Sequence, residues 1–443
     1  MTEYQNVIDS AKDVLEMNDR GNYTQPSHGM YPHQWLWDSC FVAIGMRNYD
    51  VARAQKEVLS LLAGQWHNGM MPNIIFRDDP KYKRDRDFWR SWLNPNAPDK
   101  VSTTGITQPP MLAEAIVRIG KQLNKTERRT WYKKVWPYLL KYHEWLYEER
   151  DPHNEGLVLQ IHPWETGLDN TPPWTNEMHE HQLPFWIAAV RKLHFDKVIN
   201  IFRRDTQSVP LDQRYETIDA LILFDIQRRL RRKNYDIHKI LDHSLLAIED
   251  LSFNSILIRA NTHLLHIAKI ADKEVPDELK AHIKKTEKAL EELWDMFSGQ
   301  YYSRDFVTHQ LLKIPTIATL MPLYAGNISQ SRAEELVHLL EDSKIFGSPF
   351  GVPTVPVNSE WFHSKLYWQG PAWLNMNWLI IDGLKRYGFD DHAQTLREST
   401  LEMIDRSGCW EYFDPLTGEP AGADNFSWTA ALAIDLAYQS KKK

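Results

Sequence analysis

The sequence has little of what marks secreted, membrane-bound or nucleic-acid-binding proteins. It contains two cysteines, Cys40 and Cys409, in 443 residues. That is too few for a disulfide framework, and we interpret both as small buried apolar side chains in a reducing compartment. No window approaches about 18 uncharged apolar residues, so we expect no membrane span. The polar N-terminus lacks the pattern of a signal peptide. These absences predict a cytoplasmic protein.

Charge and short motifs exclude further classes of function. The net charge is −7 and no basic stripe is visible, so we expect no nucleic-acid partner. Phosphate-loop and Gly-x-Ser-x-Gly motifs are absent from the sequence. The triplet His179-Glu180-His181 lacks the i, i+4 spacing of a helical zinc pair, and Asp151–Gly156 indicates a turn rather than a calcium loop. We therefore predict neither a metal nor a cofactor.

Helical periodicity dominates the chain, and strand-like runs are confined to Leu157–Ile161 and Tyr301-Tyr302. Predicted helices cover Tyr4–Met17, Asp38–Met46, Val51–Leu62 capped by Asp50, Met111–Leu123 after two prolines, Lys125–Arg150, Glu177–Arg203, Thr217–Arg232, Ile237–Ala271 (in one piece or two), Asp277–Phe297, Ser331–Asp342, Tyr367–Tyr387, Asp390–Met403 and Phe426–Tyr438. About a dozen helices fit an α-solenoid, a bundle or a closed α/α barrel. Because no fixed repeat period appears, we favour a closed ring of helix pairs in one domain, residues 1–443.

Aromatic residues are abundant, with 18 Trp, 18 Tyr and 16 Phe. Such side chains either pack a core or present flat faces to sugar rings, and composition does not separate the two. Many of them, however, lie with Gly, Pro and acidic residues in segments between helices, where functional groups are commonly presented. These segments are Tyr31–Asp38, Gly64–Phe76, Thr103–Pro110, His162–Trp174, Gly347–Pro356, Tyr367–Trp373 and Trp410–Trp428.

Two acids in these segments could form the pair that hydrolysis of a glycosidic bond requires. Asp169 follows Trp164 in a Gly/Pro-rich turn, and an apolar wall raises the pKa of such an acid, so that it can donate a proton. Alternatively, Asp169 only forms an Asx turn before Pro172. Glu411, within Trp410-Glu-Tyr-Phe413, could be the ionised partner that deprotonates water.

Other acids in or near these segments are weaker candidates for a catalytic role. Asp414 is better explained as the cap of the Pro415–Gly418 turn, and Glu419 beyond it as a solvated side chain. Asp38, between Trp37 and the next helix, could bind sugar hydroxyls or serve as the N-cap of that helix.

At these residues the chain resembles glycoside hydrolase family 63, and within it the short bacterial mannosylglycerate and glucosylglycerate hydrolases. The resemblance covers Tyr31 to Trp428 and rests on motifs in one order: Trp35-Leu-Trp37-Asp38, Gln65-Trp66-x2-Gly69-Met70-x-Pro72, Thr107-Gln108-Pro109-Pro110, His162-Pro-Trp164-Glu-x-Gly-x-Asp169-Asn170, Gly351-Val-Pro-Thr354, Tyr367-Trp368-x-Gly370-Pro371-x-Trp373 and Glu411-x2-Asp414-Pro-x-Thr-Gly418. It implies an (α/α)6 barrel and an inverting mechanism without a metal, with Asp169 as general acid and Glu411 as general base.

The resemblance also implies which residues contact a small sugar conjugate such as glucosylglycerate or mannosylglycerate. They are Tyr31, Trp35, Trp37, Asp38, Gln108, Trp164, Tyr367, Trp368, Gln369 and Trp373, with Tyr82 from a mobile loop that Asp79–Trp92 represents here. Arg203 or Arg204 would face the glycerate carboxylate, for which a guanidinium fork is suited.

One segment, Tyr215–Ala220, departs from the pattern of the glycerate hydrolases at a place that shapes the aglycone side of the pocket. The alternatives are therefore an α-glucosidase acting on neutral disaccharides or small oligosaccharides, and a catalytically silent sugar-binding barrel. Association into a homo-oligomer is left open.

Overall fold

Two concentric rings of helices form the body of the protein. The computed structural model describes residues 4–77, 82, 84–181, 184–195, 199–200, 203, 205–242 and 246–439. Within these ranges, six inner helices alternate along the chain with six outer ones. The inner helices are Leu36–Met46, Leu112–Gln122, Leu251–Ala271, Pro322–Ala325, Leu374–Arg386 and Ser427–Tyr438, and the outer helices are Gln5–Met17, Val51–Leu62, Lys125–Arg150, Asp277–Ala289, Gln330–Glu341 and Asp390–Ser407. This arrangement is an (α/α)6 barrel.

The two rings differ in how apolar residues are spaced. The inner helix Leu36–Met46 buries every one of its residues, as a helix enclosed on all sides must. The outer helix Gln5–Met17 buries only one stripe, formed by Val7, Ile8, Ala11, Val14 and Leu15. Amphipathic periodicity therefore identifies the outer ring, whereas continuous apolar composition identifies the inner one.

The barrel closes where the first inner helix packs against the last. Gly45 makes this close approach possible, because a Cβ atom built there would lie 2.2 Å from the carbonyl oxygen of Ala431. The absence of a side chain at Gly45 thus allows two helices from opposite ends of the chain to lie side by side.

A second apolar cluster covers one end of the barrel. It forms largely from the chain between Arg150 and Leu251 and includes Trp174, Ile222 and Ile226 together with Trp89. We call this layer the cap. Its helices are Asp85–Trp89, Pro172–His181, Phe185–Lys192, Asp205–Ser208, Thr217–Arg232 and Ile237–Leu241, with 3₁₀ turns Ser91–Leu93, Pro163–Glu165 and Leu211–Gln213.

Strands in the described ranges form four short antiparallel pairs. They are Gln34–Trp35 with Ile74–Ile75, Ile248–Glu249 with Arg304–Asp305, Trp294–Asp295 with Gln300–Tyr301, and Tyr412–Phe413 with Pro420–Ala421. Two further 3₁₀ turns are Leu290–Leu293 and Ile317–Leu320. The predicted strand at 301 is confirmed in part, but the one at Leu157–Ile161 is wrong: only a single bridge, Gln160 to Ile248, forms there.

Helices Lys125–Arg150 and Thr217–Arg232 have the predicted bounds, and Asp50 caps its helix by accepting from the Arg53 N–H. The continuous helix Glu177–Arg203 is wrong, since one helix ends at His181 and the next begins after Pro184, which has no N–H to donate. The helix predicted from Tyr367 begins only at Leu374, and the one predicted to Phe297 ends at Ala289.

The structure decides the roles expected of several single residues. Asp38 is not an N-cap, because its helix begins at Leu36 and places it in the first turn. Asp414 does cap its turn, accepting from the backbone N–H groups of Leu416 and Thr417. Both cysteines are buried and unpaired, as predicted. None of the helices in the described part of the chain combines the length and apolar composition needed to cross a bilayer.

Replacing Gly45 by alanine is expected to destabilise the barrel by about 1–3 kcal/mol, because the added methyl group meets rigid backbone rather than a movable side chain. Urea denaturation followed by circular dichroism measures the effect. Gly388→Ala is the control: nothing lies within 4 Å of its Cβ position, so it adds only the strain of a left-handed backbone, about 1 kcal/mol. A Gly45→Ala midpoint at or above that of Gly388→Ala would contradict the packing argument.

Candidate active site

A cavity opens at the end of the barrel where segments lead into the N-termini of inner helices. Its inner part is lined by Pro26, Tyr31, Trp35, Trp37, Asp38, Gln108, Trp164, Gly167, Asp169, Tyr367, Trp368, Trp373, Glu411, Phe426 and Trp428. An outer chamber of about 410 Å³ adjoins it and shares Tyr31, Trp35, Trp164, Asp169 and Tyr367. We use the names inner cavity and outer chamber for these two spaces. The shared residues mark the boundary between them.

Asp169 lies at that boundary and is largely enclosed by aromatic rings. Burial raises the pKa of Asp169 to about 7, and the nearby negative charge of Glu411 acts in the same direction. The Tyr367 hydroxyl, which donates to Oδ2 at 3.1 Å, and the positive charge of Arg214 act against this rise. A carboxyl group in this environment can hold a proton near neutral pH and release it to a reacting oxygen.

Glu411 lines the inner cavity and has the opposite kind of environment. It is 2% exposed, and the groups that contact its carboxylate are donors. Arg214 binds both oxygens, with Nη2 at 2.5 Å from Oε2 and Nη1 at 3.3 Å from Oε1. Tyr31 Oη donates to Oε1 and the Ala423 N–H to Oε2, each at 2.9 Å. Such partners suit an ionised carboxylate.

Asp38 is a third acid of the inner cavity and is 5% exposed. Burial raises its pKa well above the ordinary value, and the charges of Glu411 and Asp169 add to the effect. A carboxyl group that keeps its proton can both donate and accept a hydrogen bond. Asp38 is therefore able to bind a hydroxyl group of a ligand through either of its oxygens.

Tryptophan rings form the wall and floor around these acids. Trp368 and Trp373 are stacked face to face, with centroids 3.8 Å apart and planes 2° from parallel. Trp428 stands edge-on against Trp37 at 5.3 Å. Flat apolar faces beside hydrogen-bonding carboxyl groups suit a sugar ring, which presents C–H faces and hydroxyl edges.

The turn that carries Asp169 is anchored from beneath by a buried ion pair. Glu165 accepts from Arg150 at 2.7 Å and also from the backbone N–H groups of Thr107 and Ile161. His162 accepts from the Trp164 N–H at 3.1 Å, and burial lowers the pKa of His162 to about 3, so the ring stays neutral. These contacts fix the turn before any ligand binds.

Comparison with known proteins gives the family of the chain. A family model, the mannosylglycerate hydrolase MGH1-like glycoside hydrolase domain, matches residues 31–429. The chain belongs to this glycoside hydrolase family. The match includes every residue that lines the inner cavity except Pro26. The resemblance to family 63 that the sequence motifs indicate is therefore confirmed.

Individual relatives extend over nearly the whole chain. A mannosylglycerate hydrolase of Thermus thermophilus is 36% identical over 96% of this chain and 99% of its own length. A glucosylglycerate hydrolase of Mycolicibacterium hassiacum is 30% identical, with 95% of each chain covered. The crystal structure of a family 63 mannosylglycerate hydrolase from Thermus thermophilus with Tris and D-glycerate matches at a TM-score of 0.87, 35% identity, and coverage of 97% and 99%.

Most predicted site residues of this glycoside hydrolase lie around one cavity. Eleven of them line the inner cavity: Tyr31, Trp35, Trp37, Asp38, Gln108, Trp164, Asp169, Tyr367, Trp368, Trp373 and Glu411. Tyr82 lines the outer chamber, and its hydroxyl donates to the carbonyl of Gly29. Tyr215 and Ala220, from the segment that departs from the family pattern, line the outer chamber as well.

Two predicted contacts point elsewhere. The guanidinium of Arg203 binds Asp205, the carbonyl of Tyr215 and the Thr217 hydroxyl, and Arg203 lines neither space. Gln369 donates to the backbone oxygen of Asn170 and so links two loops behind the cavity wall. Arg204 and residues 79–81 and 83 of the predicted loop lie outside the described residues.

The sequence interpretation missed Arg214, and also Pro26, Gly167, Phe426 and Trp428 of the inner cavity. Arg214 binds Glu411, lies over the Tyr367 ring at 4.7 Å, and lines the outer chamber. The sequence distance of 197 residues between Arg214 and Glu411 hides this pairing. No spacing rule connects the two positions, because helices of the cap bring them together.

Gly422→Ala is expected to lower kcat/KM by about 10²-fold, because its Cβ would lie 2.5 Å from the Tyr412 ring and 2.6 Å from Glu411 Oε2 and would displace the carboxylate. Gly418→Ala in the same hairpin is the matched control. It has a similar φ, +76° against +78°, but its Cβ meets only the movable ring of Phe350 at 3.1 Å. Equal activity of the two variants in steady-state assays would show that residue 422 does not determine the position of Glu411.

Proposed function

We propose that this enzyme hydrolyses an α-glycosidic bond between a hexose and glycerate with inversion at the anomeric carbon, using Asp169 as general acid and Glu411 as general base. The observation that carries the proposal is the pair of carboxyl groups around one cavity in unlike surroundings. Burial raises the pKa of Asp169 to about 7, whereas Glu411 is surrounded by donors that favour its ionised form.

The two spaces suggest how the substrate lies. The hexose occupies the inner cavity, stacked on tryptophan rings and bound by Asp38, and the aglycone extends into the outer chamber. The glycosidic oxygen then lies near Asp169, which lines both spaces. Asp169 protonates this oxygen while Glu411 takes a proton from water that attacks the opposite face. An inverting pair is expected to stand about 6.5–9.5 Å apart, which leaves room for the water.

Glycerate as the aglycone is supported by the relatives and by one side chain. Relatives that cover nearly the whole chain are named for mannosylglycerate or glucosylglycerate, and one was crystallised with D-glycerate. On the wall of the outer chamber, the guanidinium of Arg214 offers a positive charge next to the boundary. Nη1 and Nη2 of Arg214 bind Glu411, and Nε is a buried donor with no partner in the described contacts, so glycerate would be attracted by the positive charge and by Nε. Arg203 lines neither the inner cavity nor the outer chamber and is less suited to this role.

A second candidate is an α-glucosidase acting on neutral disaccharides. It is favoured by the outer chamber, which at about 410 Å³ is large and mainly aromatic, with Phe76, Phe88, Trp89 and Phe224 on its walls. A second sugar ring would use these faces, whereas the three-carbon glycerate leaves most of them uncovered.

Proton NMR of hydrolysis in progress tests both substrate and stereochemistry. The panel is glucosylglycerate, mannosylglycerate, glucosylglycerol, kojibiose and trehalose. We expect a glycerate conjugate to give the highest kcat/KM and the β-anomer to form first from an α-linked substrate. Retention of the α-anomer would refute the inverting pair. Preference for kojibiose or trehalose would replace glycerate by a neutral aglycone.

Asp169→Asn and Glu411→Gln are each expected to reduce kcat about 10²–10⁴-fold, because the first removes the acidic proton and the second the proton acceptor, at nearly unchanged shape. Glu419→Gln is the control, an exposed acid of the same hairpin whose side chain contacts Lys365 alone in the described contacts. It should retain wild-type turnover. Sugar binding by calorimetry without turnover in the wild type would instead favour a silent binding protein.

The pH dependence distinguishes the acid from a merely structural carboxyl group. Asp169 must be protonated to act, so kcat/KM should fall tenfold per pH unit above about pH 7. We call this fall the alkaline limb. It should be absent from the residual activity of Asp169→Asn.

A further inference from the structure

Tyr367 has a backbone conformation that aromatic residues rarely adopt. Its φ is +48°, in the left-handed region, although it is not a glycine. For a bulky side chain such a conformation is strained and persists only where surrounding contacts impose it. Strain of this kind is found preferentially at functional sites, and Tyr367 is the residue whose hydroxyl donates to Asp169 at 3.1 Å.

Two of the hydrogen bonds beside this conformation are made to Asn170, in addition to backbone hydrogen bonds within residues 363–369. The Trp368 N–H donates to Asn170 Oδ1 at 2.9 Å, and Gln369 Nε2 donates to the Asn170 backbone oxygen at 2.8 Å. On the other side, Trp373 Nε1 donates to the Tyr367 carbonyl at 2.9 Å. Asn170 is 1% exposed, so its side chain has no water to exchange for these partners.

These contacts close a ring. Asp169 and Asn170 are neighbours in the chain, as are Tyr367 and Trp368. One hydrogen bond joins Asn170 to Trp368 and another joins Tyr367 to Asp169. A change in either of these two hydrogen bonds is therefore expected to alter the other hydrogen bond. A ring of fixed bonds leaves the Tyr367 hydroxyl little freedom to leave the Asp169 carboxyl.

We propose that Asn170 is a positioning residue for the general acid, and that its side-chain oxygen keeps the Tyr367 hydroxyl on Oδ2 of Asp169. This rests on the proposed function, in which Asp169 donates the proton. Because Tyr367 donates to Oδ2, the acidic proton of Asp169 resides on Oδ1. Asn170 thereby determines which oxygen of Asp169 carries the transferable proton.

The ring also influences when Asp169 loses its proton. Burial is the main cause that raises the pKa of Asp169, and the hydrogen bond from Tyr367 is the first of the causes that lower it. Loss of that bond should move the pKa further up. If Asn170 only supported the loop, its removal would lower stability and leave the alkaline limb where it is.

A double-mutant cycle on the pH profile of kcat/KM tests the proposal. Asn170→Ala should reduce kcat/KM about 10- to 100-fold at pH 5–6 and shift the alkaline limb upward. Tyr367→Phe should shift the limb upward as well. If Asn170 acts through Tyr367, the double variant should have the same limb as Tyr367→Phe alone. Additive shifts, or an unmoved limb in Asn170→Ala, would overturn the proposal.

A second variant separates positioning from folding. Asn170→Asp retains an oxygen that accepts from the Trp368 N–H, so it should keep kcat/KM at low pH within a few fold of wild type. An equal loss in Asn170→Asp and Asn170→Ala would refute the role of the accepting oxygen. Thr175→Val is the matched control, since Thr175 contacts Gln369 and the backbone oxygen of Asn170 but not its side chain. Its limb should coincide with that of the wild type.

The Asp169→Asn variant distinguishes a failure of the positioning role of Asn170 from a failure of the proposed function. A limb that persists in Asp169→Asn would refute the acid role of Asp169, and the positioning role with it. A limb that disappears in Asp169→Asn but does not move in Asn170→Ala would refute only the positioning role.

Discussion

The buried ion pair between Glu411 and Arg214 is the constraint on which the site depends. Removing two charges from water is expensive, and a lone buried carboxylate would not remain ionised. Glu411 therefore needs donors on both oxygens, and they come from Tyr31, Arg214 and Ala423, on three separate segments of the chain. Because Tyr31 precedes the first inner helix and Ala423 precedes the last, the donors assemble only when the barrel closes. Arg214 further requires the cap to be in place.

The same enclosure has the reverse consequence for Asp169. It lacks a direct ion pair in the described contacts, so burial favours its protonated form and raises its pKa to about 7. One aromatic cavity thus gives its two acids unlike surroundings, because a guanidinium binds both oxygens of Glu411 and none binds Asp169 directly in the described contacts. Each of the two acids also accepts a hydrogen bond from a tyrosine: Tyr31 donates to Glu411, and Tyr367 donates to Asp169. Tryptophan rings around the inner cavity lower the local polarity, which makes each of these contacts stronger.

Sequence patterns predicted the fold well where a helix is amphipathic or has a clear cap. Lys125–Arg150 has a capping box of Asn124 and Glu127, and its bounds were predicted correctly. Prediction failed where apolar residues continue through a functional loop. The run from Tyr367 looks helical, yet Tyr367, Trp368 and Trp373 line the inner cavity, with Tyr367 at a positive φ and Trp373 bonded back to the Tyr367 carbonyl. Local periodicity carries no information about such contacts.

By itself the sequence determined the alternation of helices, the aromatic character of the intervening segments and two acids whose neighbours suit glycoside hydrolysis. These depend on composition and short-range spacing. Only the tertiary structure decided that Arg214 pairs with Glu411, that Arg203 turns to Asp205, and that Asn170 is linked to Trp368. These pairings depend on how close two atoms that are remote in sequence lie in space, and on the direction in which a side chain points. Closure of the barrel and packing of the cap determine these distances and directions.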